Sequence, residues 1–416
     1  MDQRRNRLYD GGVLLHCVFV CPKPPIPTKR YQHPQNDSDT EILIVIDAAT
    51  KRSPNIELLQ LFLTAFRYHF QSVSWCSQTN VMQASFETPP QQTPFRNQHG
   101  LQSFAKGNVM KDFTQINAGD SRLGSELRQL VRLAIWEDLQ NSVDLTTFSL
   151  VPESSIGSAA IVARQAGVAS GLDLPPQILS EIEAHVELEL CLHDGASFEK
   201  SQTLCKLSGK VRDLLSLERI ALNFLGRLCG IASLTAQYVR LIQGTRAHVY
   251  DTRKTTPGWR YLEKYAVQCG GGRNHRLGLF DAILIKDNHL AFHIDSTGKR
   301  ISPAQAVERA RAFALSWPDC QNRDVMIEIE VDTIVQFHDA IQQSPDIILL
   351  DNMTNEQLRE AVAIRNDRKS TTQLEASGGV RFDTIAAIAT TGVERISVGA
   401  LTHSAINLDL GLDWLD

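Results

Sequence analysis

The sequence predicts an α/β protein of at least two folded parts whose second half is a (β/α) barrel, and three observations carry that expectation. From about Ala247 onward, short β-branched runs alternate with helical patterns in a regular βα rhythm. Nearly every one of these runs is apolar until its C-terminal end and then delivers polar residues or glycine, which is how a (β/α) barrel builds its active site. The length, 416 residues, exceeds what one hydrophobic core tends to hold, so two domains and something further are expected.

Taken in order, residues 1 to about 118 differ from the rest. Pro, Gln, Asn, Ser and Thr dominate 21–40 and again 78–100, a composition of loop or disorder. Between these stretches, EILIVIDA (41–48) predicts a strand, and 56–70 carries helical apolar spacing. Arg4, Arg5 and Arg7 ahead of the apolar stretch 11–21 imitate a secretory signal. His16 interrupts that stretch, however, and Pro22, Pro24, Pro25 and Pro27 follow it without a small-residue cleavage site. No run approaches the ~18 uninterrupted apolar residues of a transmembrane helix, so a soluble protein with no membrane partner is expected.

From Asp120 the patterns become amphipathic. Residues 125–139 place Leu127, Leu130, Val131, Ala134 and Ile135 on one helical face. Strands are expected at 159–164, at 186–192 and, more weakly, at 204–211. Long helical periodicity over 214–242, with Gly226 and Gly230 inside it, predicts helices packed closely against a neighbour. No repeat at solenoid spacing is visible. The barrel strands are expected at 247–253, 282–288, 325–332, 347–352, 374–379 and 395–401. Helices lie between them at 302–315, 333–343 and 354–365, the last capped by Thr354 ahead of Glu356.

Composition excludes some functions. A formal net charge of −5 with 21% charged residues leaves no generally basic surface, so no nucleic-acid partner is expected. Any anion site must be a local concentration of Arg and Lys. The eight cysteines are scattered, with no CxxC pair, and read as reduced thiols of a cytoplasmic protein. His16, Cys17 and Cys21 form a tight group but lack a fourth ligand.

The chemistry concentrates at the barrel strand ends. These supply Arg253 and Lys254, Lys286 and Asp287, Glu330, Asp351 and Asn352, Ser377-Gly378-Gly379, and Gly399; the loop before Lys286 adds His275 and Arg276. Any one of these reads equally well as a surface ion pair, but six strand ends agree. Several cations, two separated carboxylates and two glycine-containing turns suit a substrate carrying carboxylates and phosphates. The Ser377-Gly378-Gly379 turn, late in the barrel and ahead of a helix expected near Phe382, reads as a phosphate cradle. Gly270-Gly271-Gly272 reads as a flexible loop.

These residues carry a resemblance. The segment DTRKTTPGWRYLEKYAVQCGGGRNHRLGLFDAILIKDNH (251–289) resembles the signature of the quinolinate phosphoribosyltransferases. The resemblance extends through IEIEVD (327–332), IILLDNM (347–353), EASGG (375–379) and VGALTHS (398–404). It also takes in ERIALNFLGRLCGIASLT (218–235) and EDLQNSVDLTT (137–147), and so covers about 118–416. Cys229 and Trp259 are mild departures within it.

The resemblance implies an N-terminal α/β sandwich domain (119–230), to which the C-terminal tail can return, followed by an open, incomplete α/β barrel (231–416), with 1–118 as an extension. It implies transfer of a phosphoribosyl group from its pyrophosphate to quinolinate, with loss of carbon dioxide, giving nicotinate mononucleotide for NAD synthesis. A homodimer or larger homo-oligomer would share the site, with Arg219 reaching in from the other chain. Arg253, Lys254, His275, Arg276 and Lys286 would bind the two carboxylates and the 5-phosphate end. Glu330 and Asp351 would hold the ribose hydroxyls and Mg²⁺, largely through substrate or water, with Glu328 the weaker candidate. Ser377, Gly378, Gly379 and Gly399 would bind phosphate, with Thr252, Val398 and Ala400 lining the substrate. Lys254, Lys286, Glu330 and Asp351 would be catalytic. No organic cofactor is required, because the ribosylated ring nitrogen is itself the electron sink; the proton that follows comes from a lysine or from water. Two alternatives stay open: a phosphoribosyltransferase of this fold acting on another acid such as nicotinate, and a non-catalytic binding protein.

Overall fold

The computed structural model describes residues 111–140, 142–172, 181, 186–294, 298–320 and 323–415 in full, and between 1 and 110 the backbone of four short strands. The chain divides into two compact units, 1–106 and 107–416. In the first, β1 (Leu15–Cys17), β2 (Ile42–Ile46), β3 (Ser72–Cys76) and β4 (Val81–Ser85) form an antiparallel sheet in the order β1-β2-β4-β3. The strand expected at 41–48 is present as β2. β4 falls inside the stretch whose composition reads as loop, because its partners β2 and β3 supply the ladder that the composition does not announce. The helix expected at 56–70 lies outside the described residues.

The second unit opens with an extended segment, 111–118, and then helix α1 (Ser121–Leu139), whose N-cap Asp120 accepts the Arg122 amide at 2.8 Å. Helix α2 (Leu145–Leu150) follows. Strands β5 (Ile156–Ala163), β7 (Val186–Leu190) and β9 (Thr203–Lys210) occupy the three positions expected for strands. They form an antiparallel sheet in the order β16-β5-β9-β7, whose edge strand β16 (Leu410–Leu415) comes from the very end of the chain. A small ribbon of β6 (Gly167–Val168) and β8 (Ser197–Phe198) sits beside it.

Helix α3 (Val211–Leu241) is the spine of this unit, 31 residues and so about 46 Å long. One face, with Leu222, Leu225 and Cys229, covers Ile161, Leu204 and Cys205 of the sheet. Another, with Ile220, Phe224, Leu228, Ile231 and Tyr238, belongs to the barrel core. Gly226 and Gly230 do mark a close approach, but the neighbour is the backbone of Ile406–Leu408 rather than a helix.

The barrel is a six-stranded parallel sheet ordered β10-β15-β14-β13-β12-β11. Its strands are β10 (His248–Tyr250), β11 (Ile283–Ile285), β12 (Ile327–Val331), β13 (Ile347–Asp351), β14 (Gln373–Ser377) and β15 (Arg395–Ser397). All six lie where the sequence places them. β10 and β11 are edges, and the gap between them is filled by 273–276, which makes a parallel bridge from Arg273 to Tyr250 and reaches the other edge through an Arg276 hydrogen bond to the Ala282 carbonyl. Between strands run α4 (Arg260–Cys269), α5 (Asp287–Phe292), α6 (Pro303–Ser316), α7 (Ile334–Ala340), α8 (Asn355–Asp367), α9 (Ile385–Ala389) and α10 (Ala400–His403). Thr354 caps α8 as expected, in a reciprocal pair with Gln357. The helix expected near Phe382 begins only at Ile385, after a turn in which Thr384 binds back to Arg381.

Residues 111–118 do not behave as part of an extension. They lie against the starts of the barrel strands, where Lys111 pairs with Asp324 and Asp346 at 2.8 and 3.0 Å. Phe113 packs on Ala282, Met326 and Ile347. Sequence reading missed this because KDFTQINA has neither helical nor strand periodicity; its order comes entirely from the barrel it covers. Among the described residues, no helix is long and apolar enough to cross a membrane.

Candidate active site

The C-terminal strand ends open onto a single cleft of about 750 Å³. β10 contributes Thr252, Arg253 and Lys254; β11, Lys286; β12, Glu330; β13, Asp351; β14, the turn Ser377-Gly378-Gly379; β15, Val398, Gly399 and Ala400; and the gap segment, His275 and Arg276. Of the residues to which the resemblance gives a firm substrate or catalytic role, all but one are thus brought to the same space by parallel strands ending at one rim, while Asp287 and the weaker candidate Glu328 do not line it. The exception is Arg219, exposed on α3, which lines a separate depression with Glu137, Asp138, Asp144 and Ser216.

Two carboxylates face the cleft in differing company. Glu330, half-buried, is paired with Lys286. Burial raises its pKa, Lys286 opposes this, and nearby Asp351 adds to the rise. Asp351 is raised by burial too, and its carboxylate accepts from the Asn352 amide at 2.7 Å. Two hard oxygen donors, one already offset by Lys286 and both disfavoured as anions by burial, fit a divalent ion such as Mg²⁺. Asn352 itself takes a left-handed φ of 52° and its backbone N–H, as distinct from the side-chain amide that meets Asp351, donates to the Ser377 carbonyl at 2.9 Å. Gly378, φ 91°, answers it: a Cβ there would lie 2.2 Å from the Asn352 side chain and 3.0 Å from its backbone nitrogen. Only glycine completes this paired turn.

Arg276 departs from its expected setting. It is not in an open polar loop but only 7% exposed, with its guanidinium on the Ala282 carbonyl at 3.2 Å. Burial lowers its pKa and neighbouring Arg253 lowers it further. Two crowded guanidinium groups, neither bound to a carboxylate among the described residues, make this wall a receptor for anions.

His275 also departs from expectation. Its ring forms the floor of the cleft rather than joining the cations of the mouth, with Nε2 turned inward to Glu328 at 3.1 Å and Glu375 at 3.4 Å. Burial disfavours the imidazolium, while the two carboxylates outweigh burial and push its pKa up to about 9. Against that, Nδ1 accepts the Arg276 amide at 2.8 Å. An N–H···N contact of that length leaves no room for a second proton, so the geometry corresponds to the Nε2–H tautomer. Beneath it, Lys264 and Asp251 form a fully buried ion pair. Asp251 accepts the His275 amide and the Asn274 side chain, each at 2.8 Å, and Lys264 donates to the His275 carbonyl at 3.0 Å. This pair fixes the backbone that carries both His275 and Arg276.

Gly270 and Gly272 are packing devices, not a flexible loop: a Cβ on either would lie under 3 Å from Ala232 or Thr235 of α3. Trp259 stacks on Phe224, ring centroids 4.7 Å apart. Residues that sequence reading did not assign also line the cleft, notably Glu375, Arg381 and His403. Glu375 is the one charged residue of the QLEAS strand, and a lone charge facing a barrel interior is itself a signal. His403 lies in the quoted VGALTHS segment, where its nearness to Gly399 could have marked it. Glu328 and Glu375, fully buried, with His275 are the one group of three potential metal ligands among the described residues. Arg395 already binds Glu375 there at 2.9 Å.

Comparison with known proteins agrees with this geometry. The family profile described as quinolinate phosphoribosyl transferase, N-terminal domain, matches residues 144–229, and the corresponding C-terminal domain matches 231–413. A nicotinate-nucleotide pyrophosphorylase [carboxylating] of Mycobacterium leprae is 40% identical over 288 residues, 69% of this chain and 96% of that protein. A quinolinate phosphoribosyltransferase [decarboxylating] of Nicotiana tabacum is 34% identical over 302 residues, 69% of this chain and 82% of that protein. The solved structure of the nicotinate-nucleotide pyrophosphorylase from Francisella tularensis superposes with a TM-score of 0.64 at 33% identity, covering 73% of this chain and all of that one.

Proposed function

This chain belongs to the quinolinate phosphoribosyltransferase family, and from that premise we infer that it joins quinolinate to the phosphoribosyl group of 5-phosphoribosyl 1-pyrophosphate, with loss of carbon dioxide, giving nicotinate mononucleotide. The observation that carries this reading is the single cleft in which Arg253 and Arg276 crowd one wall while Glu330, Asp351 and the Ser377–Gly379 turn occupy the facing strand ends.

In the first step the pyridine nitrogen bonds to the anomeric carbon as the bond to pyrophosphate breaks. Positive charge builds on the ribose ring, and Glu330 and Asp351 stabilise it. In the second, the bond to the 2-carboxylate breaks and carbon dioxide leaves. The electron pair rests on the carbon beside the cationic ring nitrogen until a proton replaces the carboxylate. Arg253, Arg276 and Lys286 orient the dicarboxylate so that the nitrogen faces the ribose. Backbone amides of the 377–379 and 398–400 turns hold phosphate. Glu330 and Asp351 are the residues that would hold Mg²⁺, largely through substrate and water, where the ion would neutralise the leaving pyrophosphate. No organic cofactor is needed for either step.

We further propose a homodimer, or a larger assembly built from it, in which Arg219 serves the partner's cleft; its position away from its own cleft supports this. The scattered cysteines support a reducing, cytoplasmic setting.

The reaction is tested by release of labelled carbon dioxide from carboxyl-labelled quinolinate. Release that requires phosphoribosyl pyrophosphate is expected; release without it, or none at all, would exclude this reading, and turnover of nicotinate instead would favour a related transferase of the same fold. Removing residues 1–110 is expected to leave this activity within a few fold, since the truncated chain keeps every cleft residue and the 111–118 segment. A soluble truncation with no activity would show that the first unit belongs to the enzyme.

A further inference from the structure

The cleft's floor is tied to the opposite end of the barrel by a buried chain of charges. Arg395, fully buried at the start of β15, donates through Nε to Glu375 at 2.9 Å and through Nη1 to Asp112 at 3.0 Å. Its guanidinium is held between two rings, 3.6 Å from the Tyr250 centroid and 4.9 Å from that of Phe113. Asp112 also accepts from the Tyr250 hydroxyl and from Arg273, each at 2.9 Å. Glu375 in turn faces His275, and Phe113 covers the imidazole with ring centroids 4.5 Å apart. Asp112 and Phe113 sit on the segment that crosses the strand starts, before the residues matched by the family profiles.

We propose that Asp112 and Phe113 are positioning residues for the dicarboxylate half of the site, acting through Arg395 and Glu375 to hold the His275 ring and, with it, the Arg276 amide. Asp112 shares the charge of Arg395. Without it, Arg395 draws Glu375 away from His275, and the ring loses one of the two carboxylates that orient Nε2. Phe113 closes the space into which the ring would otherwise turn. The phosphate turns at 377–379 and 398–400 stand at the other end of their strands and do not touch this chain of contacts, so the effect is selective.

This inference rests on the transferase reading, and its test separates the two. In the full chain, Asp112→Asn keeps the shape and removes the charge, while Lys111→Ala loosens the same segment from outside without touching the relay. Asp112→Asn is expected to raise KM for quinolinate about ten-fold while KM for phosphoribosyl pyrophosphate stays within about two-fold. It should also shift the His275 ring ¹⁵N resonances, assigned by their loss in His275→Gln, away from the Nε2–H pattern. Lys111→Ala should lower Tm and leave both KM values and those resonances in place. An Asp112→Asn protein with unchanged His275 resonances, or with both KM values raised alike, would overturn the proposal whether or not the transferase reading stands. An inactive wild-type protein whose resonances still respond to Asp112→Asn would overturn the transferase reading and leave the relay intact.

Discussion

Arg219→Ala and Lys286→Ala should each lower turnover by about two orders of magnitude or more, yet a mixture of the two should recover up to about a quarter of wild-type activity. The expectation starts from placement. Lys286 lies at the end of β11 beside Glu330, inside the cleft. Arg219 lies on the exposed face of α3 among Glu137, Asp138 and Asp144. If Arg219 completes the partner's cleft, a dimer with one copy of each variant has one site carrying both lesions and one carrying neither. Random exchange makes half the dimers mixed, and each mixed dimer has one of its two sites intact. The measurement is activity after subunit exchange, with exchange proven by a mass-tagged protomer. No recovery despite exchange would place the action of Arg219 within its own chain.

Arg276→Ala should weaken quinolinate binding by about 2–4 kcal/mol, roughly thirty-fold to nearly a thousand-fold in Kd, while Tm moves little. The burial of Arg276 sharpens this expectation. Arg276 is a buried guanidinium beside Arg253, its charge disfavoured by both, and among the described residues no carboxylate is hydrogen-bonded to it. Truncating it gives up one hydrogen bond to the Ala282 carbonyl and strands no carboxylate that was bonded to it. The loss therefore falls on the ligand rather than on the fold. Arg276→Lys should recover only part of the affinity, because an ammonium cannot offer two parallel donors to a carboxylate. Calorimetry that finds quinolinate affinity unchanged in Arg276→Ala would remove this residue from the site.

The barrel was legible for a specific reason. A run such as IILLD is apolar until its end because the strand is covered on both faces, and its first polar residue falls at the rim where the cleft opens; IEIEV follows the rule only at Glu330, since its earlier carboxylate, Glu328, is buried. Strand location and chemistry are thus written in the same few residues, which is why Lys286, Glu330, Asp351 and Ser377 could be named together. Elements held only by distant partners were not legible. The return of the C-terminal tail to the first domain was expected, but no pattern marks β16 as a strand; it is one because β5, some 250 residues earlier, presents an edge to it. The segment 111–118 carries no periodicity at all, yet Asp112 and Phe113 lock onto Arg395 and His275.

By itself, then, the sequence determined which side chains stand at the barrel rim and the family they belong to, because strand periodicity and the order of residues at a strand end are local properties of the chain. Depth and direction were decided only by the tertiary structure. The resemblance already favoured Glu330 over Glu328, but only the fold shows that Glu328 is sealed beneath His275 while Glu330, two residues later, stands at the mouth. Nor do the letters show that Arg276 is buried or that His275 turns toward Glu328 and Glu375. Those outcomes depend on how far each side chain lies from water and on which charges are brought within a few ångströms of it, and both are set by contacts between residues that the sequence keeps far apart.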